Sequence, residues 1–173
     1  MNKLKRIKQV RIHHEGNHTL VGSALFLIMC CAVAYAVGLP DFVFYALVAL
    51  SIAVYAVILN FFRCPKRRFQ GDTADVVVAP ADGKVVVNEE VEENEYFGDR
   101  RRMVSIFMSL VNVHANWFPV DGYVTRVEHQ NGNFHMAWLP KASLENEHST
   151  VIIRTPRGQE IMVRQVAGAL ARR

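Results

Sequence analysis

Two long apolar segments near the N-terminus constrain the fold of this 173-residue chain more than any other feature. They run from Leu20 to Leu39 and from Phe42 to Phe62, and neither contains lysine, arginine or glutamate. A helix rises about 1.5 Å per residue, so each segment can cross a hydrocarbon core of about 30 Å. The sequence Gly38-Leu39-Pro40-Asp41 between them is typical of a tight turn. We therefore predict a transmembrane helical hairpin; a re-entrant or interfacial hairpin that does not fully span is the alternative.

Basic residues cluster on both sides of this hairpin, although the formal net charge is only +4. They are Lys3, Lys5, Arg6, Lys8 and Arg11 before it, and Arg63, Lys66, Arg67 and Arg68 after it. Nucleic-acid binding is not indicated, because no stacking aromatics interleave with these clusters. A signal peptide is not indicated either, since a second apolar segment follows at once. The positive-inside rule predicts an inner-membrane protein with both ends of the hairpin and the soluble part on the cytoplasmic side.

The chain is predicted to divide into four parts. These are a basic cytoplasmic tail (1–19), the helical hairpin (20–62), a basic juxtamembrane linker (63–70) and a β-rich domain (71–173). Cys30 and Cys31 lie inside the first apolar segment, and Cys64 lies in the linker. Neither a disulfide nor a metal site is predicted from this placement.

The soluble part has the sequence pattern of a β-rich domain. The phrase Pro-x-Asp-Gly-x-Val occurs twice, at Pro80–Val85 and Pro119–Val124, each time between apolar runs. Asp-Gly favours turns, so each copy predicts a strand–turn–strand unit, the first with strands at 75–79 and 84–88. Further strands are predicted at 122–128, 150–155 and 160–166, the last two around a turn. We expect an α+β or mainly β fold, in which the hairpin precedes a barrel or sandwich with two related hairpins.

A central strand is predicted from Met103 to Val113, with polar residues at alternate positions around its end. Alternate residues of an extended chain share one face, so Asn112, His114 and Asn116 are predicted to point together beside apolar neighbours. The alternative is an ordinary buried strand with one satisfied histidine.

Three charged residues have a structural interpretation beside a functional one. Asp82 and Asp121 precede glycine, and turn formation alone can explain both. Arg101 lies in the charged segment Asp99–Arg102. It can contact phosphate or lie in a solvated turn.

Four sequence motifs occur in the order found in a known protein family. They are Pro80-Ala81-Asp82-Gly83, Asn112-Val113-His114 with Pro119, the segment Lys141–Glu147, and the segment Gln165–Arg173. Together they resemble the phosphatidylserine decarboxylase proenzyme family in its short, membrane-associated form. The resemblance covers about Val76 to Arg173, and the helical hairpin upstream also suits it.

The resemblance implies an enzyme that releases carbon dioxide from phosphatidylserine to form phosphatidylethanolamine. Decarboxylation of an amino acid needs an electron sink that ordinary side chains do not supply. In this family the sink is implied to be a covalent pyruvoyl group, made by self-cleavage before a serine in a Gly-Ser sequence, with which the substrate amine forms an imine. That serine lies C-terminal to the Ala-Arg-Arg segment, whereas the one Gly-Ser here is Gly22-Ser23. We therefore expect a chain truncated before its catalytic serine and inactive as it stands.

Two residues match the family's catalytic positions. Asp82 matches the acidic residue of the Pro-Ala-Asp-Gly motif, which is implied to assist self-cleavage. His114 matches the first histidine of an Asp/Asn-x-His element, which is implied to act near the pyruvoyl group, and a near-neutral histidine suits proton transfer. Longer members carry a second histidine three residues on; here that position is Trp117, so the activation of the serine stays open. The predicted substrate-binding residues are Asn112, Asn116 and Arg101.

The expected partners are phosphatidylserine, anionic membrane lipid and the pyruvoyl-bearing C-terminal chain that self-cleavage would release; a homodimer is left open. The alternative function is a membrane-anchored module of the lipoyl- or biotinyl-carrier type, without enzyme activity. Paired hairpins would fit it, and Lys84 after Asp-Gly would be the modified lysine. The residues that usually surround such a lysine are missing.

Overall fold

The computed structural model of the chain describes residues 10–67, 69, 71–73, 75–136, 139 and 142–171. These residues belong to two compact units. The first unit takes its described residues from 1–68, 81–83 and 108–116, and the second takes them from 69–80, 84–107 and 117–173. Two short stretches from later in the chain therefore belong to the unit that contains the N-terminal helices.

The first unit is built on the predicted helical hairpin. Helix α1 is Asn17–Ala36 and helix α2 is Asp41–Phe61. Between them Gly38 has φ 69°, a left-handed conformation that glycine adopts without steric cost. Both helices are long and apolar enough to cross a membrane, and large side chains such as Phe26 and Leu50 are exposed on them. An exposed apolar surface of this size suits contact with lipid.

A small antiparallel sheet closes the open end of the hairpin. Strand β1, Val10–Ile12, pairs with strand β2, Arg63–Pro65. The backbone N–H of His13 donates to the carbonyl of Phe62 at 2.9 Å, and a single turn of 3-10 helix, His14–Gly16, leads into α1. These strands were not predicted from the sequence. They hold the two ends of the hairpin side by side.

The second unit contains two antiparallel sheets. One is the hairpin of β3, Lys84–Glu93, with β4, Asp99–Phe107. The other has the order β5-β6-β7, with β5 at Tyr123–Gln130, β6 at His148–Arg154 and β7 at Glu160–Val166. A single helical turn, α3 at Ala142–Glu145, precedes β6, whose Ile152 and Ile153 are 1% exposed. The α+β class is confirmed, but the sheets of the described residues do not join into a closed barrel.

Several predicted strands have different bounds in the structure. The segment 75–79 is not a strand, and β3 extends beyond the predicted end at 88 to Glu93. The segment 99–102 begins β4 instead of forming a solvated turn, and β4 ends at Phe107, six residues before the predicted Val113. The predicted strands around the turn at 156–158 are confirmed as β6 and β7.

Neither Pro-x-Asp-Gly phrase joins two strands in a local hairpin, because the segments that precede them pair with each other. The N–H of Val78 donates to the carbonyl of Pro119, and the N–H of Trp117 donates to the carbonyl of Pro80, both at 2.8 Å. Ala81 and Asn116 form an isolated antiparallel bridge. Backbone groups that a local hairpin would have paired find partners 35 to 41 positions away along the chain instead.

Candidate active site

The bridge between Ala81 and Asn116 brings two of the sequence motifs together in the first unit. Asp82 follows one end of the bridge, and His114 lies two residues before the other. Both predicted catalytic residues thus belong to the unit that contains the helical hairpin. We refer to residues 108–116 as the histidine loop.

The His114 ring is partly buried, and one of its nitrogens is committed to the backbone. Nδ1 lies 3.2 Å from the carbonyl oxygen of Asn112, so this nitrogen carries the proton and donates it. Nε2 is then the lone-pair nitrogen. Burial lowers the pKa of His114 below its ordinary value, an effect that the hydrogen bond to Asn112 opposes without cancelling. The ring is therefore neutral at pH 7 and can accept a proton at Nε2.

The end of α2 contacts the histidine loop at two points. The Phe61 ring stacks on the His114 ring, with centroids 4.1 Å apart and planes inclined by 25°. The Asn60 amide and the Arg63 guanidinium both donate to the carbonyl oxygen of Val111, at 3.4 and 3.0 Å. Asn60, Phe61 and Arg63 were not predicted as partners of the loop, because the sequence contains no signal that these residues contact a segment so distant along the chain.

Asp82 forms an ion pair with Arg67, and each side chain is roughly one-third to one-half exposed. Arg67 and Arg63 belong to the basic cluster that was predicted to face anionic lipid. In the structure one binds Asp82 and the other binds the carbonyl of Val111, so both have protein partners. The composition of the cluster signalled positive charge near a membrane but not its partners.

The prediction that three polar side chains share one strand face is wrong. Asn112 turns back on its own loop, where its Oδ1 accepts from the backbone N–H of Ser109 at 2.9 Å and from the hydroxyl at 2.7 Å. This local bond bends the chain after β4, and Asn116 is exposed. Asn112 positions the loop through its side chain and His114 through its backbone carbonyl.

Arg101 belongs to the second unit, where protein groups occupy its donors. It forms an ion pair with Asp99, donates to the carbonyl of Glu160 at 3.0 Å and lies over the Phe97 ring at 3.6 Å. The carboxylate of Asp99 raises the pKa of Arg101. The residue also lines an open groove of about 700 Å³ together with Arg154. These contacts support a structural role more directly than a substrate-binding one.

The end of the motif segment before β6 forms a buried polar cluster in the second unit, with Asn146, Glu147 and His148 buried. Asn146 is 1% exposed and bonds to both backbone groups of His135 and to the carbonyl of Ala167. His148 donates from Nδ1 to the carbonyl of Asn146 at 2.9 Å. Among the described residues, no group of three or more histidine, cysteine, aspartate or glutamate side chains could hold a metal ion.

Comparisons with known proteins agree with the motifs. The family model described as phosphatidylserine decarboxylase matches residues 54–173. The phosphatidylserine decarboxylase proenzyme of Bacteroides thetaiotaomicron is 60% identical over 173 residues, covering 100% of this chain and 76% of the relative. The proteins of the same name from Bacteroides fragilis and Porphyromonas gingivalis are 59% and 50% identical, covering 76% and 75% of their lengths.

Proposed function

This chain belongs to the phosphatidylserine decarboxylase family, and we propose that its first unit supplies the proton-handling side of that family's active site at a membrane surface. The activity is that of a carboxy-lyase, which releases carbon dioxide from phosphatidylserine and leaves phosphatidylethanolamine. The observation that carries the assignment of residues is the bridge that joins the Asp82 and His114 segments. The carrier-module alternative has no support, since Lys84 lies at the start of β3 opposite Phe107 and not in a tight hairpin turn.

The family implies a covalent pyruvoyl group, and the residues of the first unit fit its chemistry. A neutral imidazole with a lone pair on Nε2 suits a site where a carbonyl group meets a substrate amine. When formed, the pyruvoyl group supplies the electron sink that decarboxylation requires. Ser23 is not a candidate source, because it lies inside α1 and its hydroxyl donates to the carbonyl of Leu20 at 3.1 Å.

His114 would move one proton within each turnover. Nε2 accepts a proton from the ammonium group of the substrate serine as it binds, and the imidazolium then returns a proton to the α-carbon after carbon dioxide has left. The bond from Nδ1 to the Asn112 carbonyl keeps the ring in the orientation that presents Nε2 throughout. A positioned acid–base group of this kind contributes about 10²–10⁴-fold to the rate.

Asp82 is assigned to self-cleavage of the proenzyme. Arg67 binds its carboxylate, which fixes the side chain and leaves further carboxylate lone pairs available to other donors. Because Asp82 and His114 serve different steps, their substitution should separate the two activities.

The test uses a holoenzyme prepared by joining to Arg173 the part of the Bacteroides thetaiotaomicron relative that this chain does not match. Asp82→Asn is expected to block chain cleavage, seen by electrophoresis. His114→Ala is expected to lower carbon dioxide release from phosphatidylserine by about 10²-fold or more. Asp121→Asn is the matched control, because Asp121 occupies the same position in the second Pro-x-Asp-Gly phrase and bonds to Thr73. Wild-type behaviour of the Asp82 and His114 variants would refute the assignment.

The helical hairpin would span the inner membrane with both ends in the cytoplasm. The basic clusters support this orientation, and the β1–β2 pairing requires both ends to lie together. In a chain with Cys30 and Cys31 replaced by alanine, an impermeant thiol reagent should reach native Cys64 and a cysteine at Glu15 only from the cytoplasmic side. A cysteine at Leu39 should react from the opposite side. Labelling of Glu15→Cys and Cys64 from opposite sides would contradict the hairpin.

A further inference from the structure

The contacts between α2 and the histidine loop assign the membrane helix a part beyond anchoring. Asn60, near the end of α2, and Arg63, at the start of β2, both donate to one backbone carbonyl, that of Val111. The acceptor is in an irregular loop, where a backbone carbonyl is not held by a strand partner. The loop is therefore tied to the helix three residues before His114.

The stack of Phe61 on His114 acts on the imidazole itself. With the ring centroids 4.1 Å apart and the planes inclined by 25°, Phe61 covers one face of the imidazole and limits the access of water to it. The bond to the Asn112 carbonyl fixes the protonated nitrogen, and the stacked ring restricts rotation of the imidazole out of its plane. The hydrogen bond and the stacked ring together hold the imidazole in one orientation, so Nε2 points in a single direction.

The position of Phe61 along the chain relates this contact to the lipid. Phe61 is the last residue of α2, and Arg63, the first residue of the basic cluster after the hairpin, follows two residues later at the start of β2. A change from apolar to basic sequence marks the level of the lipid headgroups. The histidine loop also exposes the apolar side chains of Leu110 and Val111, which are 46% and 69% exposed and suit the interfacial layer.

We propose that Phe61 is a positioning residue for phosphatidylserine decarboxylation, which holds the His114 imidazole at the depth of the substrate headgroup. The proposal rests on the proposed function, because it needs His114 to act on the lipid. The depth of the His114 ring in the membrane is then set relative to the lipid carboxylate, because α2, which lies in the bilayer, also holds the ring. The distance between Nε2 and the α-carbon is thereby set by the fold of the first unit.

The first measurement uses residues 1–173 in lipid nanodiscs and does not require activity. The pKa of His114 is read from NMR titration of labelled histidine, with the signal identified by its loss in His114→Gln. Phe61→Leu keeps an apolar side chain but removes the flat face, so water reaches the imidazole and its pKa should rise toward 6.5. Phe61→Tyr restores the ring and should restore the lower pKa. Phe44→Leu, which removes an aromatic ring near the other end of α2, should leave the His114 pKa unchanged.

Charged neighbours do not account for such a shift. Among the residues that the structure describes, the charged groups on the elements packed against the histidine loop are Arg63, bound to the carbonyl of Val111, and the pair of Arg67 with Asp82. None of them is altered in the Phe61 variants, so a change in the His114 pKa reports the removal of the covering ring.

The second measurement uses the joined holoenzyme in vesicles that contain phosphatidylserine. Phe61→Leu should lower kcat by roughly tenfold or more with little change in KM, since a misplacement of about 1 Å can cost up to about 10²-fold. The acid limb of the pH–rate profile of Phe61→Leu should move to higher pH together with the His114 pKa. Phe61→Tyr should restore both the kcat and the position of this limb. An unchanged His114 pKa and kcat in Phe61→Leu, or an equal loss in Phe44→Leu, would overturn the proposal. Full activity of His114→Ala with a shifted pKa in Phe61→Leu would instead overturn the proposed function and, with it, the role of Phe61 in the reaction.

Discussion

Replacement of Asn146 by alanine should destabilise the second unit by an amount that the structure allows us to estimate. The side chain accepts from the N–H of His135 at 2.9 Å and donates to the carbonyls of His135 at 2.9 Å and Ala167 at 2.7 Å. Three hydrogen bonds at a net value of about 0.5–1.5 kcal/mol each give a loss of about 1.5–4.5 kcal/mol. The carbonyl of Ala167 contributes most, because Ala167 is 5% exposed and water reaches it poorly.

The assay is pulse proteolysis of the detergent-solubilised chain across a urea series. Asn146→Ala should lower the urea concentration at half cleavage, and hydrogen exchange of the segment that contains His135 should accelerate. Asn146→Asp preserves the shape but exchanges two donors for a second acceptor, so it should be at least as destabilising. Asn94→Ala, in the exposed turn between β3 and β4, is the matched control.

A value for Asn146→Ala within about 0.5 kcal/mol of the wild type, a range usual for ordinary surface substitutions, would refute the reasoning. It would mean that the segment before β6 does not depend on these bonds. A small effect of Asn146→Ala combined with a large effect of Asn146→Asp would show that the site tolerates an empty space but not a buried charge.

Three further substitutions test other parts of the fold. Burial raises the pKa of Glu93, but hydrogen bonds from the backbone N–H groups of the following turn outweigh this effect, so the net pKa is lowered. The ionised Glu93 therefore stabilises the fold above its ordinary pKa of 4.5, and this stabilisation is lost as the pH falls below that value. Glu93→Gln should make the stability measured by denaturation depend less on pH in this acidic range. Gly122→Ala would place a Cβ against the carbonyl of Arg154 and should cost about 1–3 kcal/mol in the same assay. Ser51 is buried beside Cys31, with Oγ and Sγ 3.7 Å apart, so Ser51→Leu should separate the helices and lower the thermal midpoint in detergent, whereas Ser51→Ala should not.

Structural features that depend on residues close together in sequence were predictable from the sequence. A run of about 20 apolar residues satisfies its own backbone in a helix, so α1 and α2 appear close to the predicted bounds. The strands β6 and β7 flank a turn in which Gly158 has φ 85°, and the residues of this hairpin lie close in sequence. The motifs likewise identified Asp82 and His114 as candidates before their surroundings were known.

The surroundings of those two residues were decided by tertiary structure. The apolar sequence after β4 predicts a continued strand, yet the bond of Asn112 to Ser109 bends the chain into the histidine loop. Asn60 donates to Val111 across 51 positions, and no local period or motif encodes a contact at that separation. A backbone carbonyl in a loop takes whichever donor the folded chain brings to it. The sequence alone singled out His114 as a candidate, whereas folding determined that Phe61 at the end of α2 would stack on its ring.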